Sequence, residues 1–336
     1  MYRQLRLPVH PTCNFKIISS KTWENAMAEI LASIETKRIT PKRQSRQRFF
    51  RLKIIPWLFI LPISILYIMV VIGPSLAAFF YSMTDWSGIG KAEFIGLENF
   101  RQIILDTNYH KALLNNLRWL VIFVTIPFAL ALIAASMLRG VKKAGMVYRS
   151  LLFLPYIIPG VVAAAIWRNL LSPRVGLGSV LANIGIPGFD FAFLGSTKTA
   201  LYAIAFVDNW HFWGYLMILF LAAMQAIPAD LYDSAKVDGA NRWQEFLNVT
   251  IPGIRPTLIF MIMMVAVWSF LTFDYIWILT QGGPARSSEV LSTYLYKQAF
   301  NRFEAGYASA IGLTMSLFAG MILGIFVYLR RKGWEV

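Results

Sequence analysis

Six long apolar segments set the architecture of this chain, because each is long enough to cross a lipid bilayer. They are residues 54–82, 117–138, 149–171, 199–223, 257–280 and 307–329. A helix needs about 20 apolar residues for one crossing. Lipid offers no hydrogen-bond partners, so an open chain satisfies its backbone there only as a helix. The sequence therefore predicts an all-α integral membrane protein with six transmembrane helices. Kinks are expected at prolines inside them, namely Pro62, Pro74, Pro127, Pro155 and Pro159.

The composition excludes several other kinds of protein. Hydrophobic residues make up 57% of the 336 residues and charged residues only 15%, which is too apolar for an ordinary soluble domain. The net charge of +15 lies mostly beside the apolar segments, so membrane orientation and anionic lipid explain it better than nucleic acid does. The single cysteine, Cys13, excludes an internal disulfide, and the three histidines do not have the spacing of metal ligands.

Catalytic and nucleotide-binding patterns are missing from the sequence. It contains no G-x-x-x-x-G-K-[ST] loop, and the nearest candidate, residues 88–91, lacks the spacing. It also contains no catalytic triad and no metal cluster. We therefore expect a chain that is not an enzyme, binds no metal or cofactor itself, and receives any energy through contact with another protein.

A polar stretch of about 30 residues, 225–256, separates the fourth and fifth apolar segments, and we call it the island. Pro228 is suited to open a helix, since a first-turn proline loses no intrahelical hydrogen bond. Gly239 is suited to end that helix in a left-handed conformation. A second short helix is predicted from about Arg242 to Val249, with Pro252 and Pro256 stopping it before the next apolar run.

The chain divides into a basic N-terminal tail at 1–53, a transmembrane domain at 54–329 and a C-terminal tail at 330–336. Apolar residues recur at helical spacing over 22–36, which is typical of an amphipathic helix on a membrane or partner surface. A disordered tail is an equally weighted alternative. The basic run at 37–53 fits an anchor to anionic lipid.

The distribution of lysine and arginine predicts the orientation in the membrane. If the N-terminus is cytoplasmic, the segments on that side are 1–53, 139–149, 224–256 and 330–336, and they hold 22 of the 32 Lys and Arg residues. By the positive-inside rule both termini and the island are then cytoplasmic.

Polar and aromatic residues cluster inside the fourth and fifth apolar segments, where ionisable groups are costly and tend to line a path. Asp208 and Asp274 lie well within apolar sequence, among amide, hydroxyl and aromatic side chains. Sugars offer hydroxyl groups that pair with such polar groups and ring faces that stack on aromatic ones. For a single aromatic side chain, a place in the interfacial belt is the simpler explanation.

The last apolar segment carries small residues at every fourth position, which lets helix backbones approach closely. They are Ala308, Gly312, Ser316, Gly320 and Gly324. This stripe is expected to meet a neighbouring helix of this chain or of a second one.

The island also resembles the "EAA" loop of ABC importer permeases, whose pattern reads roughly E-A-A-x-x-D-G-A followed by F, I, L-P and P. The matching residues are Asp233-Ser234-Ala235, Asp238-Gly239-Ala240, Phe246, Val249, Ile251-Pro252 and Pro256. Asp replaces Glu at 233, Ser replaces Ala at 234, Val replaces Ile at 249 and Ile replaces Leu at 251. Loop residues near 85–87, 94–100, 282–284 and 306–308 are similar to the first-permease type of the sugar-importer branch.

The resemblance implies an ABC importer permease fold in a bacterial inner membrane, with the island as the coupling element. It assigns contact with the ATPase to Asp233, Ser234, Ala235, Asp238, Gly239, Ala240, Phe246 and Pro252. The implied partners are two cytoplasmic ATPase subunits that use ATP and Mg²⁺, a second and different permease chain, and an extracytoplasmic sugar-binding protein.

The resemblance also implies where a sugar would be held. On the fourth segment it points to Asp208, Phe212 and Tyr215, beside Asn209, and on the fifth to Ser269, Thr272, Phe273 and Asp274. Two acidic residues depart from the amides expected of a maltose site, so a ligand other than maltose is indicated. The alternative function is an ion-gradient-driven secondary transporter, with Asp208 and Asp274 as proton or sodium sites.

Overall fold

The computed structural model describes residues 20–36, 55–141, 144–185 and 191–333. Within these ranges every named element is helical, which confirms the all-α prediction. The predicted lipid anchor at 37–53, most of the rest of the N-terminal tail and residues 334–336 lie outside the described residues.

The helices are numbered here in chain order. They are α1 Ser20–Thr36, α2 Ile55–Tyr67, α3 Gly73–Tyr81, α4 Glu98–Leu105, α5 Thr107–Arg139, α6 Gly145–Ile157, α7 Gly160–Leu170, α8 Leu177–Asn183, α9 Ala200–Gln225, α10 Ala229–Val237, α11 Arg242–Glu245, α12 Ile251–Gly253, α13 Arg255–Leu271, α14 Asp274–Leu279, α15 Leu291–Tyr296 and α16 Ala305–Arg331. π-helical turns occupy Ile68–Ile72, Phe246–Thr250 and Lys297–Asn301.

The chain divides into two compact units, residues 1–73 and 74–336. In the first unit, α1 confirms the helix predicted at 22–36, and the disordered alternative is wrong for these residues. Trp23, Met27, Ile30 and Leu31 of α1 are all exposed, as expected for the apolar face of an amphipathic surface helix.

In the described part of the chain, five helical spans are long and apolar enough to cross a membrane, at 57–81, 107–139, 200–225, 255–279 and 305–331. The predicted third span, 149–171, is instead a pair, α6 and α7, bent by 90°. The six predicted crossings are present when this pair counts as one broken span. The helix of the second span, α5, begins at Thr107, ten residues before the predicted start of that span at 117. Its first turns are polar, so the pattern of apolar residues did not reveal them.

Prolines mark some breaks and not others. The break between α6 and α7 falls at Ile158 and Pro159, where a kink was predicted. In contrast, α5 runs through Pro127 without interruption.

The core of the second unit forms around α9, which packs against α5 and α6. Leu216, Met217 and Phe220 on α9 are fully buried. At Gly214 an added Cβ would lie 2.1 Å from the carbonyl oxygen of Leu152, so α6 can reach α9 only because residue 214 has no side chain. A smaller core of buried residues joins α16 to α4, α15 and the start of α5.

Candidate functional site

The island folds into two short helical segments that meet at Gly239. Gly239 has φ +78°, and its N–H donates to the carbonyl of Lys236 at 3.0 Å. The next N–H, of Ala240, donates to the carbonyl of Ala235 at 2.9 Å. This pair of bonds is a Schellman motif, so the prediction that Gly239 ends the helix in a left-handed conformation is confirmed.

The second helical segment begins with a capping box that the sequence interpretation missed. Asn241 Oδ1 accepts from the N–H groups of Trp243 and Gln244 at 3.0 and 2.9 Å, and Gln244 Oε1 accepts from the N–H of Asn241 at 2.8 Å. The signal was an Asn followed by Gln three residues later. The prediction that Pro252 stops this helix was wrong. Pro252 lies at the start of the turn Ile251–Gly253, where a proline is tolerated, and the helical path ends at Ile254.

Tyr232 joins the island to the transmembrane helices. Its side chain is buried, its hydroxyl lies 3.0 Å from Thr250 Oγ1, and the guanidinium carbon of Arg139 lies 3.2 Å from its ring centre. Arg139 is the last residue of α5. The first island helix is therefore fixed both to the second segment and to the end of a membrane span.

The surface of the island presents the residues predicted to couple to an ATPase. Asp233, Ser234, Asp238, Gly239 and Pro252 are exposed, and Ala235, Ala240 and Phe246 are partly exposed. The Asp233 carboxylate lies 2.9 Å from Lys236 Nζ, and this hydrogen bond raises the pKa of Lys236. Apolar side chains accompany them: Leu231, Val237 and Trp243 are 52%, 88% and 66% exposed.

A cavity of about 380 Å³ lies among α5, α9, α13 and α14. Six of the eight predicted pathway residues line it, namely Asp208, Phe212, Ser269, Thr272, Phe273 and Asp274. The rest of the wall comes from Trp119 and Phe123 of α5 and from Val265, Trp268, Leu271 and Tyr275. The sequence interpretation missed the two residues of α5. Their spacing of one helical turn, just after two asparagines, was the available signal.

Asn209 and Tyr215 do not line this cavity. Asn209 is rotated around α9 from Asp208 and faces a separate, mostly apolar groove beside Trp210 and Trp213. Tyr215 stacks on Tyr156 with ring centres 4.6 Å apart. Helical spacing places Tyr215 on the Asp208 face, but it lies two turns further along, beyond the cavity.

The fifth span breaks at Thr272 and Phe273, beside the cavity, and side chains from elsewhere satisfy the freed carbonyls. Asn116 Nδ2 of α5 donates to the carbonyl of Ser269 at 2.8 Å, and Ser292 donates to the carbonyl of Thr272. Non-helical backbone at membrane depth is tolerated where it is buried in protein or lines a cavity. The break thus exposes a polar wall without leaving these two carbonyls unpaired.

His211 supports the break in the third span. Its Nε2 lies 2.8 Å from the carbonyl oxygen of Ile158, so this nitrogen carries the hydrogen. The residue after Ile158 is Pro159, and the chain turns by 90° there. His211 therefore has a structural partner and does not line the cavity. Among the described residues, no group of three or more His, Cys, Asp or Glu could hold a metal ion.

A polar network closes the end of the second unit opposite the island. Asp106 accepts hydrogen bonds from the hydroxyls of Tyr294 and Tyr307, the latter at 2.8 Å, and from the N–H of Asn108. Burial, the largest single influence, raises the pKa of Asp106, but these hydrogen bonds together lower it below 3.8. Nearby, the buried Glu289 pairs with Lys297 at 2.6 Å.

Broken membrane spans around a polar cavity, with a helical hairpin fixed to one end, define a membrane transport subunit. A family model for the binding-protein-dependent transport system inner membrane component matches residues 127–333. The chain is 36% identical over 263 residues to the probable ABC transporter permease protein YurN of Bacillus subtilis, covering 77% of this chain and 90% of that protein.

Two further comparisons agree. The chain is 32% identical to AmyD of Thermoanaerobacterium thermosulfurigenes, a probable starch degradation products transport system permease protein, over 85% of this chain and 97% of that one. The crystal structure of a bacterial ABC transporter for the import of alginate superposes with TM-score 0.74 at 24% identity, covering 86% of this chain and 98% of that one. The chain therefore belongs to the family of binding-protein-dependent transport system inner membrane components, and it is a permease subunit of an ABC transporter.

Proposed function

We propose that this permease carries a sugar or related carbohydrate inward, driven by two cytoplasmic ATPase subunits that bind ATP and Mg²⁺. A second, different permease chain completes the path, and an extracytoplasmic binding protein delivers the sugar at the end opposite the island. Both termini and the island face the cytoplasm, since that side holds most of the lysine and arginine.

The structure of the island carries this proposal. The Schellman motif, the capping box and the Tyr232 contacts fix its two helical segments, so the island can move as a rigid body and pass that movement to the membrane helices. Yet Val237 and Trp243 stay exposed, and exposed apolar patches mark interaction sites. A groove of about 840 Å³ between the island and the end of α5 adds a concave surface beside them. An ordinary connecting loop needs none of these features.

The cavity supports a sugar as the transported molecule. It combines carboxylates and hydroxyls with the aromatic faces of Trp119, Phe212 and Trp268. Polar groups pair with sugar hydroxyls and aromatic faces pack against the ring. The Thermoanaerobacterium relative, a probable starch degradation products transport system permease protein, agrees with this class.

An ion-gradient-driven secondary transporter is the competing function. It would use Asp208 and Asp274 for protons or sodium and would give the island no partner. Family membership and the exposed apolar surface of the island both favour the ATP-driven importer.

The experiment is purification of the complex from membranes carrying Val237→Glu, with Ile89→Glu as matched control. Val237 and Ile89 are similarly exposed, at 88% and 77%, and Ile89 lies in the loop after α3, away from the island. We expect Val237→Glu to lose the ATPase subunits and ATP-driven sugar uptake, while Ile89→Glu keeps the ATPase subunits. Retention of ATPase and uptake by Val237→Glu would contradict the coupling role.

A further inference from the structure

Two carboxyl groups and no basic side chain line the cavity among the described residues. Asp208 and Asp274 both line it, and of the residues described around it none is Lys, Arg or His. His211, on the same helix as Asp208, is bonded to the carbonyl of Ile158 instead. Two carboxylates in one small cavity repel each other, and a cation between them would relieve that repulsion.

Neither carboxylate has a partner among the described residues, which sets this pair apart from other acidic residues of the chain. Asp233 pairs with Lys236, Glu289 pairs with Lys297, and Asp106 accepts from two tyrosines. The carboxyl groups of Asp208 and Asp274, in contrast, have no hydrogen bond and no ion pair with a described residue, and they line the same cavity. Asp208 is half-buried and Asp274 is exposed where they line the cavity. A half-buried carboxylate within a membrane span is costly without a partner, and a cationic ligand would supply one.

The remaining walls suit a positively charged group rather than a negative one. Trp119, Phe212 and Trp268 contribute aromatic faces, which attract cations through the negative face of the ring. The same faces and both carboxylates repel anions. Sugar acids and sugar phosphates would therefore enter this cavity against its charge.

We propose that the cavity selects amino sugars, that is, saccharides with a protonated amine that sits between Asp208 and Asp274. This inference rests on the proposed function, since it names the substrate class of the same cavity. The aromatic walls hold the sugar ring, and the two carboxylates accept charge-assisted hydrogen bonds from the ammonium group.

The test uses the intact complex in lipid nanodiscs without its binding protein, so that only the membrane site selects. Saturation-transfer NMR measures the affinity of three β-1,4-linked disaccharide probes: chitobiose with free amines, its N-acetylated form, and cellobiose. We expect chitobiose to bind at least about tenfold more tightly than the two neutral probes, as charge-assisted hydrogen bonds predict. The preference for chitobiose should vanish in the double variant Asp208→Asn/Asp274→Asn, and it should be smaller than in the wild type in the single variant Asp274→Asn. Asp85→Asn, which removes an exposed carboxylate that does not line the cavity, should leave the preference in place.

The remaining outcomes separate this inference from the proposed function. Equal binding of the three probes by the wild-type complex overturns the amino-sugar proposal while leaving a sugar importer intact. Cellobiose binding that requires added Na⁺ overturns it as well, because the charge partner would then be a free cation. If no saccharide binds, and none stimulates ATP hydrolysis after the binding protein is added back, the proposed function itself fails.

Discussion

Asn116 on α5 donates from its side-chain amide to the carbonyl oxygen of Ser269, 2.8 Å away and 153 residues later in the chain. The same amide accepts at its oxygen from the N–H of Leu291, also at 2.8 Å. One fully buried side chain therefore ties the break in the fifth span to α5 on one side and to the start of α15 on the other. The shape of the cavity depends on this tie, because Ser269 is part of its wall.

Replacing Asn116 with Leu should destabilise the protein and impair transport. The change leaves the carbonyl of Ser269 and the N–H of Leu291 buried without partners, at about 1–3 kcal/mol for each group. SDS-induced unfolding in mixed micelles measures the loss. Asn169→Leu is the matched control, since Asn169 is exposed and bonds only to the carbonyl one turn back, and its change should stay within about 0.5 kcal/mol. Equal stability of the two variants would show that the hydrogen bonds of Asn116 do not contribute to the stability of the fold.

The turn at Gly239 should depend on backbone conformation and not on space. An added Cβ would meet nothing within 4 Å, but φ is +78°, where a side chain costs about 1–2 kcal/mol. Gly239→Ala should therefore loosen the island and raise hydrogen exchange across residues 229–250. Gly140→Ala is the matched control, because Gly140 is equally open but has φ −86°. Exchange that is unchanged in Gly239→Ala, or raised equally in both variants, would contradict this account.

The sequence predicted the spans and the turn at Gly239 because apolar length and glycine chemistry are local properties. The breaks were harder to predict, since they depend on partners distant in the chain. The carbonyl of Thr272 is free to leave the helix only because Ser292 donates to it, and Ile158 turns where His211 reaches it. The place of Asn209 was hard to predict for a related reason, since a polar residue next to Asp208 in sequence lies on another face of the same helix and lines another groove. Whether the island binds an ATPase and whether the cavity binds a sugar stay predictions.

Low pH should weaken the polar network of Asp106, Tyr294 and Tyr307, because Asp106 becomes protonated. The pKa of Asp106 lies below 3.8, so its contribution to stability is complete above that pH and is lost as the pH falls through the lowered value. We expect the thermal midpoint of the wild type to exceed that of Asp106→Asn at pH 5 to 7, and the gap to narrow below about pH 3.8. Other carboxylates titrate in both proteins, so the difference between them isolates Asp106. A gap that is constant down to pH 2.5 would be the contrary result.

The small residues of α16 are used unevenly within this chain. Ala308 is buried, and at Gly312 an added Cβ would lie 3.3 Å from the side chain of Leu295. At Gly320 and Gly324 an added Cβ would meet nothing within 4 Å. The stripe predicted to pack against a neighbour thus does so only in its first half, and its second half is open for a second chain.

Two glycine-to-alanine changes compare a glycine at a close helix contact, Gly214 on α9, with one on the open half of the stripe, Gly320 on α16. Gly214→Ala places a methyl group 2.1 Å from the carbonyl of Leu152, so α6 must move from α9, and we expect little folded protein in the membrane. Gly320→Ala meets no atom of this chain and should fold normally, with up to about 1 kcal/mol gained from helix propensity. Size-exclusion profiles and thermal midpoints of the isolated chain in detergent measure both. Co-purification with the second permease chain then tests the open half of the stripe. If Gly320→Ala folds normally but no longer co-purifies with that chain, the open half packs against it. If Gly320→Ala and the larger Gly320→Leu both still co-purify with it, the open half faces lipid.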